Sequence, residues 1–230
     1  MKRLLNTTLF IFLLALTSSA QDDVRRLSSF SELSVSGGIT VDLYEGQPKA
    51  EIEMIKGDLD KLVTEVKGDK LKIYFDNGKW GWSNGNNKAK IKLYFRSLDG
   101  ISASAGCKIE GHSLITADRF DADASSGARM EVNVEASSID SDVSSGASTY
   151  ISGEAKRLSV DVSSGGSFVG SDLKANDVDA DVSSGGSVKV WATKSLTADA
   201  SSGGSIKYKG NPDKTNIDAG KYSGGSVRKM

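Results

Sequence analysis

Apolar and polar residues alternate in short runs over most of the chain, and the alternation repeats with a period of about 20 residues. The pentapeptide Asp-Val/Ala-Ser-Ser-Gly occurs five times, starting at positions 123, 142, 161, 181 and 199. Weaker copies extend the series to residues 104–106 upstream and 222–225 downstream. Repeat units of this kind therefore run from residue 98 to the end of the chain, about seven in all.

Within each unit, one alternate set of positions is apolar or small and the other is polar. In the unit before the second Ser-Ser-Gly, Ile139, Ser141 and Val143 form the first set, and Asp140 and Asp142 form the second. Alternation with period two is typical of a half-buried strand, and it resumes after the glycine. Each unit therefore predicts two strands, joined where glycine permits a tight turn.

The turn motif recurs at the same position in every repeat unit, which favours stacked coils over a series of hairpins. Equivalent residues of neighbouring coils would then lie about 4.8 Å apart and pair in parallel. We predict an all-β fold, a right-handed parallel β-helix of about 20 residues per coil over residues 98–230. Residues 21–97 predict a β-rich capping layer, continuous with the solenoid in one domain, whose strands are residues 39–44, 50–56, 62–67, 71–75 and 88–95.

Residues 1–20 have the features of a secretory signal peptide. Lys2 and Arg3 precede an apolar run over residues 4–16, and the small residues Ser18 and Ala20 lie where signal peptidase reads them. The run is too short to span a bilayer, and no later segment is apolar enough to be a transmembrane helix. We expect cleavage after Ala20 and export to the periplasm, the cell surface or the medium.

Composition excludes several classes of function. The chain has 29 Lys and Arg against 30 Asp and Glu without a basic block, so nucleic acid is not an expected partner. A single cysteine, Cys107, cannot form an intramolecular disulfide, and a single histidine, His112, cannot build a His-rich zinc site. The repeated serines lack a recurring base, so they predict turns and not nucleophiles. No cofactor is expected, apart from the calcium considered next.

The repeated aspartates predict an acidic column along the solenoid. Carboxylates about 5 Å apart repel by about 1 kcal/mol per pair near a surface, so the column must be screened, bridged or partly protonated. Calcium could bridge it, since hard carboxylate oxygens suit this ion. The alternative is a solvated face whose aspartates accept hydrogen bonds from the adjacent Ser-Ser turns. The candidate calcium ligands are Asp123, Asp142, Asp161, Asp181 and Asp199.

Aromatic residues supply the candidate ligand-binding positions. Trp80 and Trp82 lie in the polar, Gly/Asn-rich segment 76–87 and would project to one side of an extended chain, where they could stack on sugars or anchor a protein contact. The alternative is that they cover the solenoid end. By the same alternation Tyr150 and Trp191 point outward, and they could extend such a surface. That face also carries basic residues, opposite the aspartates: Lys189, Lys207, Lys209 and Arg228.

The order of motifs resembles a known family. Residues 30–46 (FSELSVSGGITVDLYEG), 70–74 (KLKIY) and 91–106 (IKLYFRSLDGISASAG), followed by Ser-Gly turns, are similar to the putative auto-transporter adhesin "head GIN" family of exported bacterial proteins. The resemblance covers nearly the whole chain after the leader. It implies a right-handed β-helix, no recognised catalytic residues and a role in adhesion.

Two functions follow as hypotheses. The first is a non-catalytic exported binding or structural protein, an adhesin that presents a rigid face to a glycan or a surface or matrix protein. The alternative is a polysaccharide-active lyase or hydrolase, which would need aspartates and basic residues in one groove, whereas the pattern places them on opposite faces. Ice binding would need regular outward threonines, which the repeats lack. Unpaired sheet edges also make self-association possible.

Overall fold

The structure is a computed structural model that describes residues 22–76, 87–220 and 224–230. Strands make up 72% of the described residues, whose helical content is one 3₁₀ turn, Leu59–Lys61. The predicted all-β fold is confirmed, as a solenoid of about seven turns with roughly 20 residues per coil. The strands are β1 Asp22–Arg26, β2 Glu32–Ser36, β3 Ile39–Glu45, β4 Lys49–Lys56, β5 Leu62–Lys67, β6 Lys70–Phe75, β7 Lys88–Phe95, β8 Gly100–Ser104, β9 Lys108–Ala124, β10 Arg129–Val143, β11 Ser148–Val162, β12 Ser167–Val182, β13 Ser187–Ala200, β14 Ser205–Lys209, β15 Lys214–Asp218 and β16 Ser226–Lys229.

The body of the solenoid is a parallel ladder from β9 to β13, in which each coil pairs with the next. The two strands expected in each unit are joined into one long, bent strand that runs from one turn to the next. In β10 the buried–exposed alternation breaks at residues 136–138, between the halves that the sequence pattern predicts. Those three residues are the corner at which the strand passes from one side of the coil to the other.

Each Ser-Ser-Gly forms a type I′ turn. Ser145 and Gly146 have φ of 52° and 71°, and the amide of Ala147 donates to the carbonyl of Ser144 at 3.0 Å. Both central residues are left-handed, so the turn demands this conformation of a serine as well as of the glycine. The amide of Gly146 donates to the carbonyl of Ser164 in the next coil at 3.1 Å, so the turns stack as regularly as the strands.

The first part of the chain adds layers to the same solenoid. β2 and β3 pair in parallel with β8 and β9, and β6 and β7 pair in parallel with the other edges of β2 and β3. β6 and β7 come later in the chain than β2 and β3 but lie nearer to the end of the solenoid. The outermost strands pair antiparallel, β5 with β6, β4 with β7 and β1 with β4. These antiparallel strands cover the ladder edges of β6 and β7.

The core is thin and made mainly of inward-facing aliphatic residues, as the alternation predicts. Phe120 and Phe168 are its largest fully buried side chains. Two hydroxyls lie among them. Ser141 donates to the carbonyl of Ala122 at 2.9 Å, whereas the buried Oγ1 of Thr149 has no hydrogen-bond partner among the described residues.

No helix within the described residues is long and apolar enough to cross a membrane.

Candidate functional site

The repeated aspartates stack in register on the outer face of the strands that precede the turns. Asp142 pairs with Asp123 on one side and Asp161 on the other, and the series continues through Asp181 and Asp199. Asp218 of β15 follows in the same column, which the sequence pattern had not included. Toward the N-terminus the carboxylates give way to Ser102 and Ser34. In the described part of the chain the acidic column therefore has six carboxylates, all exposed.

The surroundings of the column favour the protonated form of three of its carboxyls. Partial burial, and then the neighbouring carboxylates, raise the pKa values of Asp123, Asp142 and Asp181. None of the five predicted aspartates accepts a hydrogen bond from its adjacent Ser-Ser turn in the described structure. Asp123 instead accepts one from Ser102, at 3.5 Å. Mutual repulsion is thus not relieved by the turns, and calcium bridging stays a prediction.

Basic residues also lie on this acidic face, which corrects the expectation that they are confined to the opposite one. Arg119 lies two positions before Asp121, so both side chains point outward. Its Nε is 3.0 Å from an oxygen of Asp121, and its Nη2 is 3.3 Å from an oxygen of Asp140 in the next coil. If the alternation is extended two residues upstream of Asp121, it places Arg119 on the same outer face.

Arg119 borders a groove at the N-terminal end of the face. Gly100 pairs with Glu32 on one side and with Asp121 on the other. Because glycine has no side chain, a gap is left between the side chains of these two residues. The groove is lined by five acidic and two basic side chains: Glu32, Asp99, Asp118, Asp121, Asp123, Lys70 and Arg119. Acids and bases do converge here, but the groove has a net negative charge.

The two described aromatic candidates lie on the outer face of the strands that follow the turns. The hydroxyl of Tyr150 donates to Asp172 Oδ2 at 2.7 Å. The Lys209 ammonium lies 3.8 Å from Asp172 Oδ1 and 4.3 Å from the centre of the Trp191 ring. Asp172 and Lys209 therefore link Tyr150 and Trp191 into one cluster of four residues across β11 to β14, which we call the aromatic cluster.

A register shift brings Asp172 into this cluster. Tyr150 pairs with Val169, but Ser152 pairs with Asp172, so β12 contains one extra residue. The bulge reverses the alternation, because Asp172 is exposed and Leu173 is buried. Strict alternation from Val169 selects Ser171 as the outward residue, which is why the sequence pattern missed Asp172.

The aromatic cluster holds its polar groups in defined states. The hydrogen bond to Asp172, together with burial and the charges of Asp172 and Glu131, raises the pKa of Tyr150, which keeps its hydroxyl a donor. The Lys209 ammonium interacts favourably with the Trp191 ring face. The cluster offers aromatic surface together with a carboxylate and an ammonium that can bond to hydroxyls.

Charge on this face changes sign along the solenoid. One column of outward positions runs through Glu110 and Glu131 to Tyr150. Beyond Val169 the same column consists of the predicted basic residues Lys189, Lys207 and Arg228. The aromatic cluster therefore lies beside the point at which an acidic part of the face becomes basic.

Trp80 and Trp82 lie outside the described residues, as do residues 1–20 with the predicted signal peptide. The site predictions that rest on them stay predictions.

Comparison of the chain with solved structures finds the same fold in several bacterial proteins. A putative adhesin from Bacteroides fragilis superposes with a TM-score of 0.80 at 18% identity, over 93% of this chain and 98% of that one. A putative adhesin from Parabacteroides distasonis gives a TM-score of 0.68 at 20% identity, over 92% and 97%. A protein described as a putative lipid binding protein from the same species gives 0.66 at 20% identity, over 93% and 98%. These identities establish the shared fold alone.

Among curated proteins no match is found. The family model described as "putative auto-transporter adhesin, head GIN domain" matches residues 29–212, which is most of the chain. That match spans every layer from β2 to β14, including the acidic column from Asp123 to Asp199 and the aromatic cluster. The chain belongs to the putative auto-transporter adhesin, head GIN domain family.

Proposed function

We propose that this protein is a non-catalytic, exported binding protein of the adhesin type, whose aromatic cluster contacts a glycan or a protein on another surface. The observation that carries the proposal is the linkage of Tyr150, Asp172, Trp191 and Lys209 on the outside of a rigid parallel ladder. Family membership supports the adhesin role, and two of the proteins with the same fold are themselves described as putative adhesins. The predicted signal peptide supports export.

The cluster is suited to binding because it is already ordered. Its hydrogen bond and its cation–ring contact hold side chains that would otherwise lose rotamer freedom when a ligand binds, a cost of about 0.5–1.5 kcal/mol for each ordered side chain. Aromatic residues also contribute disproportionately to interface energies. For a glycan, ring C–H groups would pack on the aromatic surface, and hydroxyls would bond to Asp172 and Lys209.

The acidic groove argues against a lyase or hydrolase of acidic polysaccharides. Lyases and hydrolases of acidic polysaccharides must first attract an anionic chain, and five carboxylates against two cations repel it. Arg119 is already shared between Asp121 and Asp140. The convergence of acids and bases therefore forms ion pairs within the protein.

Binding of the exported chain, residues 21–230, to an array of glycans and matrix proteins tests the proposal. Trp191→Ala and Asp172→Asn should each weaken any specific signal at least tenfold. Tyr74→Ala, which removes a half-buried tyrosine from β6, should not change it. Retained binding by both cluster variants would refute the assignment of the contact.

Two further arms separate the other candidates. A Trp80→Ala/Trp82→Ala variant asks whether those tryptophans form the contact. Parallel arrays with calcium and with EDTA ask whether the acidic column takes part. Absence of any signal from a folded wild-type chain would contradict the binding function itself and favour a structural role in the cell envelope.

A further inference from the structure

A second polar cluster lies two coils toward the N-terminus, on the same outer face. Asp42 comes from β3, and Glu110 and His112 come from β9, which is far later in the chain. One ligand atom from each lies within 4.8 Å of the other two. Asp42 Oδ1 and His112 Nε2 approach to 3.5 Å. Two carboxylates and an imidazole thus converge where two layers of the solenoid meet.

Asp42 is an unusual member of this cluster because it is an acidic residue that is only 6% exposed. A buried carboxylate requires compensation by a cation or by several donors. Lys90 supplies part of it, with its ammonium 3.0 Å from Asp42 Oδ2. The other oxygen faces His112, whose Nε2 lies 3.5 Å away.

A bulge places His112 at this position. Glu110 pairs with Glu131 and Leu114 pairs with Asn133, so β9 contains two residues more than β10 in this interval. Bulges of this kind re-aim side chains. The amide of Glu45 donates to Ser113 Oγ at 3.0 Å, which ties the bulge to the end of β3.

The imidazole ring is oriented by stacking. Its centre lies 4.9 Å from that of Tyr44, with an angle of 13° between the planes, and Tyr44 stacks in turn on Tyr94. Tyr44 lies between His112 and Tyr94, so its ring offers an edge and not a flat surface to a sugar. Stacking leaves Nε2 of His112 directed at Asp42.

We propose that Asp42, Glu110 and His112 bind one zinc ion, with water as the fourth ligand, and that the ion clamps β3 to β9. Zinc takes mixed nitrogen and carboxylate ligands at about 2.0–2.2 Å, which places tetrahedral ligand atoms about 3.3–3.6 Å apart. The 3.5 Å approach of Asp42 to His112 already has this spacing. The half-buried Glu110 side chain completes the site by a small movement toward the other two.

The site needs neither several histidines nor a cysteine, so the shortage of both in the sequence does not exclude it. Lys90 occupies the place of the cation in the free protein, and its side chain is 45% exposed, so it can move to solvent when zinc binds. Lys108, now 2.7 Å from Glu110, can do the same. Calcium is a poorer fit, because it takes six to eight oxygen ligands and does not favour imidazole nitrogen.

Calorimetric titration of the exported chain with zinc chloride tests the site. The preparation must be free of a histidine tag, because the chain itself has only one histidine. We expect one zinc per chain, and a melting temperature raised by about 5–10 °C when free zinc is about 100 times Kd. Cobalt(II) should give the visible absorption bands of a tetrahedral nitrogen–oxygen site.

Two variants and a control make the result specific. His112→Gln and Glu110→Gln should each weaken zinc binding at least tenfold and abolish the cobalt bands, while their melting temperatures without metal report whether they fold. Asp142→Asn, in the acidic column, should bind zinc as the wild type does. Absence of zinc binding, or binding that His112→Gln leaves unchanged, would overturn the proposal. The outcome is independent of the glycan and matrix-protein array.

Discussion

The acidic column should destabilise the folded protein at neutral pH. Removal of one of its inner charges should therefore raise the free energy of unfolding. Asp142→Asn removes a carboxylate that pairs in register with Asp123 and Asp161. Ladder neighbours lie about 4.8 Å apart. The amide keeps the size of the side chain and its outward position, so the change tests charge almost alone.

The magnitude follows from Coulomb's law. Two unit charges about 5 Å apart interact by about 0.8 kcal/mol in a water-like dielectric, and two neighbours give about 1.6 kcal/mol. Screening at about 0.15 M salt, where the Debye length is about 8 Å, reduces this to about 0.9 kcal/mol. Asp142→Asn should therefore raise the free energy of unfolding by about 1 kcal/mol at pH 7, and by more at low salt.

The gain should depend on pH in a direction set by the pKa shifts. Burial and neighbouring carboxylates raise the pKa of Asp142 in the folded state, so the folded chain takes up its proton at a higher pH than the unfolded chain. The destabilisation is thus fully present above the folded pKa. It falls as pH falls through that value, and it is gone below the unfolded pKa of about 3.9.

Urea unfolding at pH 7 and pH 3, each at low and at high salt and in EDTA, measures these effects. Asp213→Asn is the matched control, because Asp213 is exposed in the segment between β14 and β15 and has no stacked carboxylate partner in the described ladder. The reasoning is refuted if the control gains as much as Asp142→Asn, or if the gain persists at pH 3. In a parallel series with calcium in place of EDTA, a loss of stability on Asp142→Asn would show that a cation bridges the column.

Three further predictions concern the core, the glycines and the thiol. Thr149→Val should raise the free energy of unfolding by about 1 kcal/mol in urea, because it removes a buried hydroxyl that has no partner in the described part of the chain. Gly153→Ala should lower the free energy of unfolding by about 3 kcal/mol or more, because at φ +118° the new Cβ would lie 2.1 Å from the carbonyl oxygen of Val134. Gly146→Ala should lower it by only about 1–2 kcal/mol, because at φ +71° the new Cβ would have no atom within 4 Å. Burial raises the pKa of Cys107 to about 11, so the native thiol should react with a disulfide reagent at pH 8 far more slowly than the thiol of the unfolded chain.

The repeat makes the coil predictable because each inward position has the same requirement in every layer. A slip of one residue would expose Ile139 and Val143 and bury Asp142, so the alternation determines the register of each strand. All five strands predicted between residues 39 and 95 are present, within a residue at each end. Their spatial order was not predictable, because the outer placement of β6 and β7 depends on pairings between distant segments that alternation alone does not encode.

The candidate sites were less predictable than the fold because they depend on contacts between coils. Tyr150 and Trp191 were selected as outward aromatics, but the side chains that join them, Asp172 and Lys209, contact them from other strands. The sequence pattern likewise gave His112 no partner, because Asp42 lies far earlier in the chain, on another strand. Alternation within one strand says which way a side chain points and leaves its neighbours in the next layers unspecified.

Departures from the regular spacing of the turns mark where these surface clusters arise. The turn glycines Gly127, Gly146 and Gly165 are evenly spaced, but the interval that ends at Gly127 is longer by two positions and the interval that ends at Gly185 is longer by one. The two extra residues of the first match the bulge that presents His112, and the single extra residue of the second matches the bulge that turns Asp172 outward. Since inward positions and turns must repeat for the coils to stack, added residues are accommodated by bulging toward solvent. A long interval between turn glycines can be read from sequence alone. In this solenoid it identifies the coils whose bulges present additional side chains, such as His112 and Asp172, on the surface.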